Sequence, residues 1–277
     1  MPNMDIEQAL EIVSQTHPGV ARSHNEDSVA YEASCGLVVL ADGMGGHNAG
    51  EIASGITVSL ITTEIKHSLE SMRPEDRGEG SEDVGVALLR EKVRKANASI
   101  YHSSQSQPQY AGMGTTVVAG LFYDNRLAVA HVGDSRMYRL RGEILEPITR
   151  DHSLLQEQID RGLLSPKDAR LSKNKNLITR AVGVDPAVEV EIQIHAVQVG
   201  DIYLICSDGL NDMIEDDEIR DTVHMLRANL KLAAKQLIEM ANDNGGRDNV
   251  SVILIKVNGE FAVQRGWLAK ILSWFKN

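Results

Sequence analysis

The chain has 277 residues, of which 42% are hydrophobic and 24% charged, so it can bury a large core and lies in the ordinary globular range. Its formal net charge of −11 argues against a nucleic-acid partner, because proteins bind phosphate backbones through clustered lysine and arginine. The chain does not open with a basic segment followed by an apolar stretch, and no apolar run reaches membrane-spanning length. We therefore expect a cytoplasmic protein, a monomer with one main domain.

Strands and helices are predicted from the apolar pattern. Strands are expected at 36–42, 115–123, 126–134, 201–208 and 249–257. Asp124 and Asn125 separate the second strand from the third and predict a hairpin turn, so the sheets are at least partly antiparallel. Apolar residues at helical spacing predict helices at 48–68, 86–102, 216–223 and 229–243, the first of them capped by Asn48. The helices are expected to form two layers that cover the sheets.

Two segments depart from this regular pattern. Residues 71–85 are polar and charged and predict a loop inside the domain. Residues 150–185 contain short helical pieces interrupted by "RGLLSP" and "SKNKN", which is typical of a flap laid over a domain. We expect both segments to belong to one domain at 1–260, followed by a tail at 261–277.

The end of the tail, "GWLAKILSWFKN", predicts an amphipathic helix at 266–277. One alternative is that this helix packs on its own domain. The other is that it docks on a membrane surface or on a partner such as a kinase, because its apolar face is accompanied by lysines and aromatic residues. Both alternatives stay open at the level of the sequence.

Carboxylates recur at the ends of the predicted strands. Asp42 ends the first strand in "LADGMGG", and Asp208 ends another in "LICSDGL". Asp248 precedes the last strand, and Asp134 follows the hairpin. Each aspartate could simply cap a turn, and Asp134 could pair with Arg136 in "GDSR". Charged strand ends this frequent favour convergence instead, because carboxylates that are packed together repel one another unless cations neutralise them.

The segment "GVARSHNEDSVAY" adds a further acidic pair, Glu26 and Asp27, with Arg22 just before them. Oxygen ligands alone suit Mg²⁺ or Mn²⁺, and nothing in the sequence is typical of a zinc site. Two such ions about 3.5–4 Å apart can share one carboxylate and activate a water for attack on phosphorus. Gly43 would then present its carbonyl oxygen without side-chain interference, and the guanidinium of Arg22 would bind two phosphate oxygens.

Six strings occur in one order between residues 22 and 255: "RSHNED", "LADGMGG", "AGMGTTVV", "HVGDSR", "LICSDGL" and "GGRDNVSVILI". In this they resemble the metal-dependent protein phosphatases of type 2C, in their compact bacterial form. The resemblance covers nearly the whole chain. It implies an α+β fold, a four-layer α/β/β/α sandwich of two antiparallel sheets flanked by helices, with a flap. It also implies hydrolysis of phosphoserine and phosphothreonine without a phosphoenzyme intermediate.

The resemblance also implies a role for each site residue. Asp42 would bridge two Mn²⁺ or Mg²⁺ ions, and the Gly43 carbonyl would bind one of them. Asp208 and Asp248 would complete the other shell. The remaining matches are the acidic pair Glu26 and Asp27, the phosphate-binding Arg22, and Asp134, which with Asp208 matches positions that hold a third, weaker ion in bacterial members.

Two positions differ from relatives in this family. Many eukaryotic members carry a histidine after Asp-Gly as general acid, where this chain has Met44. His47 lies nearby, but we favour a metal-bound water as the proton donor, because the compact bacterial members share the methionine. In the flap, a serine used near the third ion by some relatives aligns with Leu171, one position before Ser172.

His131, inside a predicted strand, is expected to be a core histidine with satisfied nitrogens.

The expected partners are phosphorylated proteins, in particular a cognate Ser/Thr kinase and its substrates. Two alternatives remain at this stage. One is a pseudophosphatase that binds phosphoproteins without turnover, although none of the metal carboxylates is lost. The other is a phosphatase that acts on an anti-anti-sigma-type regulator, since its catalytic residues would be the same.

Overall fold

The computed structural model describes residues 5–46, 49–71, 83–165, 168 and 177–262. In these ranges the strands are β1 (Leu10–His17), β2 (Asp27–Glu32), β3 (Leu37–Met44), β4 (Gly114–Thr115), β5 (Val117–Tyr123), β6 (Arg126–Val132), β7 (Arg136–Arg141), β8 (Ile144–Pro147), β9 (Glu191–Ala196), β10 (Ile202–Cys206) and β11 (Val250–Val257). The helices are α1 (Ile6–Ala9), α2 (Ala49–Ser71), α3 (Val84–Ser106), α4 (Leu154–Asp160), α5 (Asp208–Asn211), α6 (Asp216–Met225) and α7 (Leu230–Asp243).

The strands form two antiparallel sheets. The first sheet has the order β1-β11-β10-β7-β8, and the second has the order β2-β3-β5-β6-β9, with β4 added beside β3. Asp124 and Asn125 both have positive φ, 48° and 53°, in the β5–β6 hairpin. This is the geometry of a two-residue hairpin turn, and Asp and Asn tolerate it better than most residues. The predicted turn is confirmed.

The sheets stack face to face, because both sides of their central strands are apolar. Along β3, alternate residues point in opposite directions. Leu37 and Val39 pack with helices α2 and α3, whereas Val38 and Leu40 pack against the other sheet. This explains why the central strands are continuous apolar runs in the sequence.

Helices α6 and α7 cover the outer face of the first sheet, where Val223 and Leu237 pack with Leu204 and Leu254. The layers are therefore helix, sheet, sheet and helix, which confirms the α/β/β/α sandwich. Phe261 is also buried between the sheets, edge-on to Phe122 with ring centroids 6.5 Å apart. The folded domain therefore extends at least one residue beyond the predicted boundary at 260.

Strand β3 differs from its prediction at one functional position. Asp42 does not end the strand, since β3 continues to Met44 through pairing of Gly43 and Met44 with the short strand β4. Asp134 and Asp208, by contrast, lie just beyond the ends of β6 and β10.

Only parts of the irregular segments belong to the described ranges. In the flap, residues 150–165 contain α4, and single bridges join Ser153 to Ile178 and Thr115 to Val182. Other expectations lie outside the described residues: the cap Asn48, His47, most of the 71–85 loop, Leu171, Ser172 and the tail from 263 onward. No helix within the described ranges is both long and apolar enough to cross a membrane.

Candidate active site

Asp27 and Asp42 are held side by side on neighbouring strands. They occupy opposed positions in the β2–β3 register, where antiparallel partners have Cβ atoms about 4.5–5.5 Å apart. Ser207 Oγ donates a hydrogen bond to Asp27 Oδ2 at 2.8 Å. Asp27 Oδ1 is buried and has no hydrogen-bond partner within the described residues. A cation would satisfy this oxygen and reduce the repulsion between the two carboxylates.

The backbone at Gly43 approaches Glu26 and Gly50 too closely for side chains. Gly43 N donates to the Glu26 carbonyl oxygen at 3.1 Å, and a Cβ on Gly43 would lie 2.6 Å from that oxygen. A Cβ on Gly50 would lie 2.9 Å from both Glu26 Cδ and the Gly43 carbonyl oxygen. Because only glycine fits there, the Glu26 carboxyl and the Gly43 carbonyl border the same small space. This agrees with the expectation that a glycine is needed for close approach.

Asp208 and Asp248 come from the other sheet. Asp208 begins α5 directly after β10, and Asp248 lies two residues before β11, the neighbouring strand. Both are half-buried. The centre is therefore assembled across the interface between the sheets, with Asp27 and Asp42 on one side and this pair on the other.

Asn249 fastens the N-terminal acidic segment to this edge. Its Oδ1 accepts a hydrogen bond from Glu26 N at 2.8 Å. Its Nδ2 donates to the carbonyl oxygens of Pro18 and His24, at 3.0 and 2.8 Å. Three hydrogen bonds to separate backbone groups fix the position of the segment that carries Arg22 and Glu26.

Asp134 is buried at the end of β6, after a turn that requires glycine. Gly133 has φ +110°, and a Cβ there would lie 2.6 Å from Thr116 Cγ2. The alternative in which Asp134 pairs with Arg136 is wrong. Arg136 instead makes a two-pronged ion pair with Asp151, through Nε at 2.8 Å and Nη2 at 2.7 Å. Asp134 lies close enough to Asp42 and Asp208 to interact with both electrostatically.

Arg22 lies at the exposed rim of this group. Its Nη2 donates to Asp248 Oδ2 at 2.7 Å, and the side chain is 54% exposed. The hydrogen bond with Asp248 and its charge raise the pKa of Arg22, so the guanidinium stays charged. A cation at the rim suits binding of an anion that enters from solvent.

The carboxyls strongly influence one another's protonation. Burial, followed by repulsion from neighbouring aspartates, raises the pKa of both Asp42 and Asp208 well above the usual range. Burial also raises the pKa of Asp27 to about 6. For Asp134, burial and then the charge of Asp151 raise the pKa to about 7. Negative charges forced together in this way are stabilised by bound cations.

The spacing of these groups suits ions that keep part of their water. Within the described residues, no three of the carboxylates bring oxygen atoms within 4.8 Å of one another. Mg²⁺ usually retains several waters and is bound directly through one or two carboxylates, so further carboxylates around an ion would contact it through those waters. The donor set contains oxygen only, as hard divalent cations prefer.

A cleft of about 610 Å³ extends from Asp134 and Asp208 to the beginning of the flap. Its walls include Asp151 and Gln156 from the flap and Asp216 from α6. A ligand bound at the carboxylates would therefore also touch the flap. The beginning of the predicted flap therefore lies beside the candidate centre.

Residues 20–249 match the family described as Protein phosphatase 2C. The chain belongs to the protein phosphatase 2C family. Its match to the family begins just before Arg22 and ends just after Asp248, so all the predicted site residues lie within it.

Members of the protein phosphatase 2C family resemble the chain over nearly its whole length. It is 35% identical to the serine/threonine phosphatase stp of Listeria welshimeri over 247 residues, which cover 88% of this chain and 94% of the relative. The crystal structure of the Mycobacterium tuberculosis serine/threonine phosphatase PstP/Ppp superposes with a TM-score of 0.80 at 36% identity, covering 90% of this chain and 99% of that one. A structure of the PstP catalytic domain in complex with two manganese ions gives a TM-score of 0.76 at 36% identity, covering 90% and 98%.

Sequence reasoning missed the residues that support the site. Ser207 and Asn249 directly adjoin predicted site residues, and that adjacency was an available signal. Sequence reasoning also missed a second cluster of side chains, formed by His131, His152 and Glu191. His131 is buried in the core as expected, but neither of its ring nitrogens has a hydrogen-bond partner within the described residues. In this part of the chain the expectation of a satisfied histidine is therefore wrong, and the ring stacks on the imidazole of His152 instead.

Proposed function

We propose that this chain is a metal-dependent protein serine/threonine phosphatase that hydrolyses phosphoserine and phosphothreonine. The observation that carries the proposal is the convergence of aspartates from two stacked sheets, beside an exposed arginine, at one end of a cleft. The serine/threonine phosphatases among its relatives support the same activity, and the two manganese ions of PstP support the metal requirement.

Each carboxylate would have a distinct task in holding the ions. Asp42, central to the group, would bridge two Mn²⁺ or Mg²⁺ ions. The Gly43 carbonyl would serve one ion, with Glu26 and Asp27 beside it, and Asp208 and Asp248 would serve the other. Asp134, with Asp208, would serve a third. When bound, the ions supply the charge that activates a water for in-line attack on phosphorus.

The chain's own residues orient the substrate. Arg22 would bind two phosphate oxygens, since its guanidinium is exposed and always charged. Asn249 holds the backbone of the Arg22 segment, and so sets the position from which Arg22 reaches the phosphate. Met44 has no proton to donate, so the leaving alkoxide must obtain its proton elsewhere.

The test is release of inorganic phosphate from a phosphothreonine peptide by the full chain. We expect turnover that chelator abolishes and Mn²⁺ or Mg²⁺ restores, whereas Ca²⁺ does not, because its larger and looser shell misplaces the attacking water. Binding of the peptide without phosphate release would indicate a pseudophosphatase instead. Turnover of a phosphorylated anti-anti-sigma-type regulator, with none on the generic peptide, would indicate the narrower alternative.

The physiological setting belongs to the same proposal. The chain would reverse the action of a cognate Ser/Thr kinase in the cytoplasm. Its catalytic domain would include Phe261, and the tail beyond it would pack on that domain or dock elsewhere. Phosphoproteome comparison of a deletion strain with its parent would identify the substrates. Cell fractionation would test the location.

A further inference from the structure

A second cluster of potential metal ligands lies where the flap begins, apart from the aspartates. His131 on β6 and Glu191 on β9 occupy opposed positions in the β6–β9 register. His152, two residues before α4 at the start of the flap, stacks on His131 with ring centroids 4.6 Å apart and an interplanar angle of 29°. Three separate segments of the chain therefore bring two imidazoles and a carboxylate to one place.

The two imidazoles differ in how their nitrogens are used. His152 Nδ1 accepts a hydrogen bond from Gly133 N at 3.1 Å, which places its proton on Nε2, 3.2 Å from Glu191 Oε2. His131 is only 2% exposed, and neither of its nitrogens has a hydrogen-bond partner within the described residues. A buried polar ring without partners is rare and requires an explanation.

We propose that His131, His152 and Glu191 bind a borderline transition-metal ion, with Zn²⁺ the best match, at a site separate from the aspartate centre. One ligand atom from each residue can be chosen so that all three lie within 4.8 Å of one another. Two histidines and one glutamate are a donor set that zinc uses in proteins, with a fourth position left for water. Zinc bonds of about 2.0–2.2 Å place ligand atoms roughly 3.3 Å apart. His152 Nε2 and Glu191 Oε2 already have nearly this separation, at 3.2 Å.

Both rings are neutral, as metal binding requires, but His152 must first move its proton from Nε2 to Nδ1 and give up the hydrogen bond from Gly133 N before Nε2 can bind an ion. Burial, reinforced by His152, lowers the pKa of His131 to about 3, so the ring is neutral at physiological pH. Glu191 and the backbone at Ser135 and Gly133 act in the opposite direction, although none of them reaches hydrogen-bond geometry with the ring. Burial lowers the pKa of His152 as well. Burial alone would raise the pKa of Glu191, but hydrogen bonds with Gln193 and His152 outweigh it and lower the pKa.

One cation borders the site and would compete with the ion. Arg180 Nη1 lies 3.3 Å from His152 Nε2, while Arg180 Nη2 pairs with Glu189 at 3.0 Å. The Glu189 side chain is 81% exposed, so Arg180 can follow it toward solvent when an ion enters. The Glu191 side chain is 36% exposed and provides an entry route.

Occupancy of this site would fix the base of the flap. His152 N donates to the Gly133 carbonyl at 2.8 Å, and the His152 carbonyl accepts from Thr179 N at 2.8 Å. His152 thus connects the outgoing and returning ends of the flap to β6. An ion on its side chain would tie the same residue to β9 through Glu191.

The test counts Zn²⁺ equivalents retained by the full chain after dialysis with excess Mg²⁺, which occupies the aspartate centre. We expect one equivalent that persists in Asp42→Asn. The affinity for Zn²⁺ should fall by about a hundredfold in His131→Gln and in Glu191→Gln. Replacing a residue that only hydrogen-bonds a metal ligand typically lowers affinity by about 10–100-fold, and replacing a ligand itself should cost at least as much. Arg180→Gln should bind more tightly, because the competing charge is gone.

His195→Gln is the matched control, because His195 lies on β9 with Glu191 and its Nε2 also lacks a partner within the described residues. It should bind Zn²⁺ as the unaltered chain does. Co²⁺ in place of Zn²⁺ should give the visible bands of a four-coordinate site, and Glu191→Gln should remove them.

Two results would overturn the proposal: loss of the zinc equivalent in Asp42→Asn, or equal affinity in the unaltered chain and Glu191→Gln. The second result is decisive even if His131→Gln fails to fold, since Glu191 is partly exposed and its amide variant keeps the same shape. Phosphatase activity is not needed as a readout, so the zinc site and the proposed function fail independently.

Discussion

Arg22 Nη2 and Asp248 Oδ2 form an ion pair 2.7 Å long at the rim of the aspartate centre. The pair joins the residue proposed to bind phosphate to a residue proposed to bind metal. No other hydrogen bond of Arg22 is present within the described residues, so its remaining guanidinium donors are available to an incoming phosphate. Substrate binding and the position of Asp248 are therefore coupled through one side chain.

Replacing this arginine should affect substrate binding more than the chemical step. We expect Arg22→Ala to raise KM for a phosphopeptide several-fold more than it lowers kcat, because all the proposed metal ligands are retained. The smaller loss in kcat reflects the release of Asp248 from its ion pair. Arg22→Lys keeps the charge but loses the planar fork, and should be intermediate. Steady-state kinetics with both variants measures the split. A loss confined to kcat would place Arg22 in the chemical step instead.

Removing a central carboxylate should abolish turnover. Asp42→Asn or Asp208→Asn is expected to cost several kcal/mol of transition-state stabilisation, on the order of a thousandfold or more in rate. Asp243→Asn, at the exposed end of α7, is the control for an added amide and should leave the rate unchanged. If Asp42→Asn retained activity within a factor of about ten, the binuclear assignment would be lost.

Stabilisation by metal should grow as pH rises. In the metal-free protein, raised pKa values of about 6 for Asp27 and about 7 for Asp134 mean that the folded state holds protons that the unfolded chain releases near pH 4. Their contribution to metal-free stability is present at low pH and is lost as pH rises through these values. Ions must displace the same protons, so they bind more strongly at higher pH.

The difference in melting temperature with and without Mn²⁺ should therefore be larger at about pH 7.5 than at about pH 5.5. Comparing the two forms at each pH cancels the contribution of His131, whose lowered pKa destabilises the folded state as pH falls below about 6.5 in both forms. A constant difference across this range would show that the aspartates do not exchange protons for metal.

The stability of the domain should depend on the largely buried ion pair between Arg136 and Asp151, at the beginning of the flap. Asp151→Asn removes the two-pronged partner of Arg136, whose side chain is 27% exposed. We expect a loss of about 2–3 kcal/mol in the free energy of unfolding, somewhat below the range for fully buried pairs because solvent screens part of the interaction.

Asp160→Asn is the matched control for this pair. Asp160 pairs with Arg150, whose side chain is 61% exposed, within the same segment. An exposed pair contributes less than about 1 kcal/mol. Chemical denaturation of both variants compares the two pairs. Equal losses would mean that burial does not set the strength of the Arg136 pair.

Deletion of residues 266–277 tests the tail. If the predicted helix packs on the domain, the melting temperature should fall. If it docks on a membrane surface or a partner, the melting temperature should stay the same while co-sedimentation or pull-down is lost. A truncation that changes neither quantity would mean that the tail does neither.

The sequence predicts the central strands well, because residues such as Val38 and Val39 must be apolar on both faces of a stacked sheet. It does not predict β1 or β7, because polar residues interrupt their apolar ones without regular alternation. In β7, for example, Arg136 and Arg139 find partners that are distant in sequence or across a turn. Such ion pairs depend on tertiary structure, which local patterns do not reveal.

The identity of the site aspartates is predictable from their recurrence at apolar strands, but their arrangement is not. The pairing of Asp27 with Asp42 follows from the β2–β3 register, and no feature of either segment alone specifies it. The cluster of His131, His152 and Glu191 was missed for the same reason. Its members lie in three segments that only the folded flap base brings together.

The apolar layer between the sheets has a consequence for ion choice. Asp42 lies on β3 of one sheet and Asp208 follows β10 of the other, so side chains such as Leu40 and Ile205 between the sheets influence how far apart these two carboxylates lie. Mg²⁺ bonds are about 2.0–2.1 Å long and Ca²⁺ bonds about 2.3–2.6 Å, a difference that a small shift of one sheet over the other would match. If Asp42 and Asp208 hold the ions as proposed, the preference among ionic radii would depend partly on apolar side chains that are not themselves ligands. We then expect a methyl group added or removed in that layer to change the ratio of Mg²⁺ to Ca²⁺ affinity.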